Sequence, residues 1–216
     1  MTSSTALLIC GLALVGEIDD AMISQISAST CQKLEVSISS RGGDAGKAFK
    51  LVDILRNKHA SVTIRGECMS SCAEIVLPLV QKVRVEPGTL IVVHGNPIMK
   101  KFAAQYYKVP NARYCQFENA SRMTYEYKKL GLNDRFWTWQ LRHLPMKEFR
   151  VQSDVAPGTC PSFGMTFVAD GIAVTKGQLE TDLGVRIGVQ TCADIDGCVE
   201  AKSKELGLNL ISAKDD

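Results

Sequence analysis

Four short apolar runs, at residues 6–15, 34–39, 61–64 and 90–93, punctuate the first 94 residues of this chain. Between the second and third, residues 44–58 place Ala48, Leu51, Val52 and Leu55 at i, i+3, i+4 and i+7, which is one apolar face of a helix. Strand, helix and strand in that succession predict βαβ units, because parallel neighbours need a long crossover between them. The expected fold class is therefore α/β with a mainly parallel sheet. At 216 residues the chain is long enough to bury a core without staples, so a single domain over 1–216 is expected.

Apolar residues make up 45% and charged residues 22% of the chain, the balance of a globular protein with a packed core. The apolar run at 6–15 is far shorter than the roughly 20 residues of a membrane span, and no Lys or Arg precedes it as a signal peptide requires. It reads as a buried strand, and no membrane span is expected. The formal net charge is +2 and the basic residues are spread along the chain, so no phosphate-binding footprint and no nucleic-acid partner are expected. The eight cysteines, Cys10, Cys31, Cys68, Cys72, Cys115, Cys160, Cys192 and Cys198, are even in number and many for a cytosolic protein. They favour a periplasmic or otherwise extracytoplasmic location. Cys192 with Cys198 and Cys115 with Cys160 are the pairings expected first; the other reading is that most are buried free thiols.

The run at 72–79 is apolar on nearly every side and predicts a buried helix or strand, ended by Pro78 and by the turn at Pro87 and Gly88. From 96 to 162 the character changes. Tyr106, Tyr107, Phe117, Tyr125, Trp137, Trp139 and Phe149 lie there among many Lys and Arg, which predicts an inserted, largely helical subregion. The last dozen residues read as a frayed tail.

Three places carry candidate chemistry. Ser39, Ser40, Arg41, Gly42, Gly43 and Asp44 follow a strand and open a helix; adjacent glycines there allow positive φ and close approach to a ligand, although such a pair is more often simply a turn. Gly66 to Ala73 also join a strand to a helix, the geometry that presents a hydroxyl at a helix start; Ser70 and Ser71 are then either reactive or mere caps. His94 ends the run at 90–93, and in a parallel sheet the carboxyl ends of strands converge on the site. His59, at a helix end, and His143, in a basic aromatic stretch, are set aside. Cys68 and Cys72 are four apart, but no His or second Cys pair is near in sequence to complete a zinc set. They read as structural, packed under the turn or with Cys72 in a disulfide that stiffens it.

Ser-x-Gly-Gly, then Gly-x-x-x-Ser, then a strand-terminal His resemble, in this order, the proteolytic subunit of Clp-type ATP-dependent proteases and its envelope relatives. The resemblance covers residues 6–97 and, faintly, 165–188. It implies a Clp/crotonase-type spiral of ββα units. It also implies Ser70 as nucleophile, His94 as general base, and the N–H groups of Gly43 and Ser71 as the oxyanion hole. Arg41 departs from the family, which has Pro there. The family's triad acid precedes a closing motif that residues 178–185 resemble. Counting back from Gly184 lands on Val168, so Asp170 is the nearest carboxylate and Asp154 the second; with neither, a Ser-His dyad or a pseudoenzyme remains. The segment 96–162 replaces the family's shorter handle, which mediates ring stacking, so the type of oligomer stays open.

The expected activity is that of a serine peptidase acting on a peptide or protein, as a homo-oligomer, with no cofactor and no metal. The alternatives are a non-catalytic Clp-like binding or assembly module with the aromatic insertion as its contact surface, and a crotonase-type acyl-CoA enzyme sharing the same backbone donors.

Overall fold

The structure, a computed structural model, describes residues 9–31, 33–80, 82–112, 115, 117–130, 140, 143–144, 146–152, 156–175, 178 and 194–213. It is a mixed α/β protein whose strands pair mostly in parallel. The chain divides into two compact units, Met1–Ile91 with Ile187–Ala193, and Val92–Arg186 with Asp194–Asp216.

In the first unit β1 (Ile9–Ile18), α1 (Asp20–Ser27), β2 (Lys33–Gly43), α2 (Ala45–Asn57), β3 (Ser61–Met69) and β4 (Val83–Val85) follow one another. β2 runs parallel to β1, and β3 parallel to both β2 and β4. The registers Leu14↔Ile38, Ile38↔Ile64 and Ile64↔Val85 set four apolar side chains in one row. All four are fully buried, and such a side chain contributes about 1.5–3 kcal/mol of transfer free energy. The row exists because strand side chains alternate with period two and each helix leads the chain back to begin the next strand on the same side.

Both helices begin on an aspartate cap. The Asp19 carboxylate accepts from Met22 N at 2.9 Å and the Asp44 carboxylate from Lys47 N at 2.8 Å, each satisfying a donor that has no partner within the helix. The face predicted for α2 is the buried one, with Ala48, Leu51, Val52 and Leu55 all at most 1% exposed. α1 was not predicted; its two turns bury only Met22, Ile23 and Ile26, too short a stretch to establish a period. The first strand runs on to Ile18 rather than ending at Val15. Gly16, at φ 109, forms an irregularity at which the register with β2 shifts and pairing resumes at Glu17. After β3, residues 72–79 are helical: a π-helical turn over Cys72–Val76 continues into the short helix α3 (Leu77–Leu79).

The strand β5 (Leu90–Val93) has the predicted limits, and its Val92 and Val93 open the second unit. There follow α4 (Pro97–Tyr106), α5 (Glu118–Lys129), β6 (Met146–Val151), β7 (Phe163–Phe167), β8 (Gly171–Ala173), α6 (Ile195–Leu206) and β9 (Leu210–Ser212). β8 pairs antiparallel with β5 and parallel with β9, while β6 and β7 form an antiparallel pair.

The described part of the subregion 96–162 is helical at α4 and α5 and also carries strand β6, whose open positions hold Lys147, Glu148 and Arg150. One expectation is corrected here. The tail is ordered up to residue 213, and residues 214–216 lie outside the described residues. α6 ends at Gly207, whose φ of 65 makes a left-handed cap, and Leu210–Ser212 then join β8 residue for residue. Three residues are too few to show alternation in a sequence. An aromatic core lies under this part: Tyr107 stacks on Phe149 at 4.4 Å, and Ala104, Val109 and Phe163 pack with Phe117 and Phe149.

Cys115 and Cys160 are disulfide-bonded, as expected, and Cys10–Cys31 and Cys68–Cys72 are two further bridges. Cys198 is also disulfide-bonded, while Cys192, its expected partner, lies outside the described residues.

Candidate active site

The first unit contains Gly43, Ser70 and Ser71; the second contains His94 and Asp170. Ser70 follows the last residue of β3 and directly precedes Ser71, the N-cap of the π-helical turn, and its carbonyl accepts from Glu74 N at 2.8 Å. Its φ is +52. The left-handed region costs a non-glycine residue roughly 1–2 kcal/mol and persists only where the surroundings impose it. Here the backbone reverses sharply between strand and helix, as it does where a hydroxyl is presented at a strand-to-helix turn.

What lies beneath this turn is Gly42. A Cβ on Gly42 would stand 2.6 Å from Ser70 Cβ, 2.7 Å from Met69 O and 2.9 Å from Ser71 N, and the residue has φ +92. Only glycine lets the two loops meet. Gly43, at φ +148, is instead pressed on β1, where a Cβ would lie 2.6 Å from Ile18 O. The N–H of Gly42 is committed to Ser40 Oγ at 3.0 Å. Arg41, the departure from the family's Pro, reaches Glu67 at 3.3 Å and links the glycine turn to the strand that carries Ser70. In the sequence Gly42 is only half of a Gly-Gly pair, and Ser40 is part of the same motif. Nothing in a linear sequence distinguishes which glycine is the one approached.

Cys68 and Cys72 are bonded to each other across Ser70, both fully buried. They are structural, as the absence of partner ligands suggested, and the partner of Cys72 is Cys68. Ser71 is 4% exposed, and its Oγ has no hydrogen-bond partner among the described residues.

His94 follows β5. The register Val93↔Ile172, carried on by one residue, sets it beside Gly171 and next to Asp170. Gly171 leaves room for this approach, since a Cβ there would meet Val92 Cγ1 at 2.5 Å. The carbonyl of His94 accepts from Gln140 Nε2, and Gln140 Oε1 in turn accepts from Asn96 Nδ2 at 2.8 Å. Burial lowers the His94 pKa from its ordinary value, and the Asp170 charge acts in the opposite direction. Asp170 has a structural task as well: its Oδ2 accepts from Asn209 N at 2.7 Å, and its own N–H donates to Asn209 O at 2.7 Å.

Asp154 and residues 179–185 of the expected closing motif lie outside the described residues; Gln178 is buried, bonding Thr175 N and Ala213 O. A cavity of about 530 Å³ in the second unit begins at Gly95 and Asn96 and is walled by Phe117, Phe163, Met165 and the Cys115–Cys160 bridge. No helix among the described residues is long and apolar enough to cross a membrane.

No protein-family model matches this chain, and no curated protein does. Among solved structures, it is similar to the ClpP protease catalytic domain from Plasmodium falciparum, at 19% identity and a TM-score of 0.35, over 54% of this chain and 67% of that one.

Proposed function

We propose that this chain is a serine peptidase of the Clp-protease-like type, folded as the Clp/crotonase spiral over a single domain. The observation that carries the reading is the left-handed backbone of Ser70 at a strand-to-helix turn, with a glycine turn packed directly beneath it. A cap needs no such conformation, because an N-cap residue ordinarily has extended backbone.

In the proposed mechanism Ser70 Oγ attacks the peptide carbonyl while its proton passes to His94. The N–H groups of Gly43 and Ser71 stabilise the resulting oxyanion. The intermediate collapses as the imidazolium gives that proton to the leaving amine. Water, activated by His94, then hydrolyses the acyl-enzyme and restores Ser70. Burial suits His94 to this work, since a depressed pKa keeps the imidazole neutral and able to accept a proton. Asp170 orients His94 in this scheme. The disulfides among the described residues are consistent with an extracytoplasmic protein, and we place it there, acting as a homo-oligomer on peptides or proteins.

Intact-mass spectrometry after incubation with a fluorophosphonate tests the assignment. A single adduct is expected on the wild-type chain and none on Ser70→Ala; equal labelling of the two removes Ser70 from the mechanism. A second reading, a non-catalytic assembly module, is favoured by the exposed Phe102, Tyr106 and Tyr125 of α4 and α5. It predicts a defined complex and a Ser70 indifferent to electrophiles.

A further inference from the structure

Cys68 and Cys72 enclose Met69, Ser70 and Ser71 in a small covalent ring, with a Cα–Cα separation of 5.2 Å across it. Each end is anchored separately. Cys68 stands opposite Ser40 in the β2–β3 register, and the Cys72 carbonyl accepts from Leu77 N, closing the wide π-helical turn. π-turns of this kind are rare and recur at functional sites. Between the anchors lies the residue with φ +52, in a conformation that a serine leaves when nothing holds it. Gly42 lies close beneath Ser70, where even an added Cβ would stand 2.6 Å from Ser70 Cβ, but among the described residues no main-chain carbonyl accepts from the Ser70 N–H. The bridge is the element that closes the turn against relaxation along the chain.

We infer that Cys68 and Cys72 are positioning residues that hold Ser70 in its reactive conformation; this rests on the reading of Ser70 as the nucleophile. The bridge enters no bond-making step. Its action is geometric: a shift of about 1 Å at a reacting atom lowers a rate by about 100-fold.

The experiment compares Cys68→Ala/Cys72→Ala with Cys10→Ala/Cys31→Ala, whose bridge spans 21 residues of the same unit and does not enclose Ser70. Two quantities are read below the melting temperature of every variant: the rate of fluorophosphonate labelling, and the amide exchange of Glu74, whose N–H donates to Ser70 O. Loss of the enclosing bridge is expected to slow labelling by about 100-fold and to speed Glu74 exchange. Loss of the Cys10–Cys31 bridge is expected to lower the melting temperature further yet leave both quantities as in the wild type. Wild-type labelling and Glu74 exchange in a folded Cys68→Ala/Cys72→Ala chain overturn the inference. A wild-type chain that takes no label, combined with faster Glu74 exchange in the variant, removes the nucleophile reading and leaves the bridge as the holder of the turn. If the alanine pair does not unfold cooperatively, Cys68→Ala/Cys72→Val restores the lost apolar volume for the same comparison.

Discussion

Ser70 is fixed from three directions, by the Gly42 backbone beneath it, by the bond between Cys68 and Cys72 across it, and by the Glu74 N–H on its carbonyl. His94 extends from the end of a strand of four residues, with Gln140 on its carbonyl and Asp170 acting through its charge. The first group is positioned by covalent and steric constraint, the second by burial and electrostatics. In the proposed mechanism Ser70 must be in place before substrate arrives, so its geometry has to be built into the backbone. His94, as the proposed base, must above all have the right protonation state, and the depth of its burial adjusts that.

The largest break of this contrast is expected from Gly42→Ala. The added methyl meets Ser70 Cβ, Met69 O and Ser71 N at under 3.0 Å, two of them main-chain atoms that cannot turn aside, at a residue with φ +92. Overpacking and backbone strain together are expected to cost about 3 kcal/mol or more, read as a drop in the denaturation midpoint, with labelling of Ser70 lost in whatever folded protein remains. A Gly42→Ala chain of wild-type stability and labelling would mean that the glycine turn does not support Ser70.

On the side of His94, the proposed base, the expected effects appear in pH. Because burial lowers the His94 pKa below the ordinary 6.5, the labelling rate is expected to be flat near pH 7, with its acid limb below 6.5. Asp170→Asn removes the charge that raises this pKa, so the limb is expected to move to still lower pH. Stability follows with the same sign. As pH falls through 6.5 the unfolded chain takes up a proton before the folded one does, so stability present above that pH is lost below it, by at most about 1.4 kcal/mol per pH unit. His94→Gln is expected to remove that part of the acid sensitivity. A limb above 6.5, or one that Asp170→Asn leaves in place, would detach Asp170 from His94.

How legible the two halves were in the sequence follows the same division. The α2 face and the strand at 90–93 are local patterns, so residues 48, 51, 52 and 55 and the limits of β5 could be read directly. The positive φ of the glycine turn was equally local, since glycine permits it. That Gly42 rather than Gly43 lies under Ser70 depends on how β2 and β3 pair after a register irregularity at Ser40, which no spacing encodes. The antiparallel pair of β6 and β7 was hidden because its strands are separated in the chain and the open positions of β6 are charged. β9 was hidden because a strand of three residues takes its identity from β8.

The smallest expected effect sharpens the difference between what Ser71 does with its side chain and with its backbone. Its hydroxyl is buried without a hydrogen-bond partner among the described residues, which costs the folded state the desolvation of a polar group. Ser71→Ala removes that hydroxyl and keeps the N–H proposed for the oxyanion. Stability is therefore expected to stay level or rise by about 1 kcal/mol, with the fluorophosphonate rate unchanged. A clear fall in labelling at preserved stability would show that the turn uses the Ser71 hydroxyl itself, and the support of Ser70 would then include a side chain as well as the glycine and the bridge.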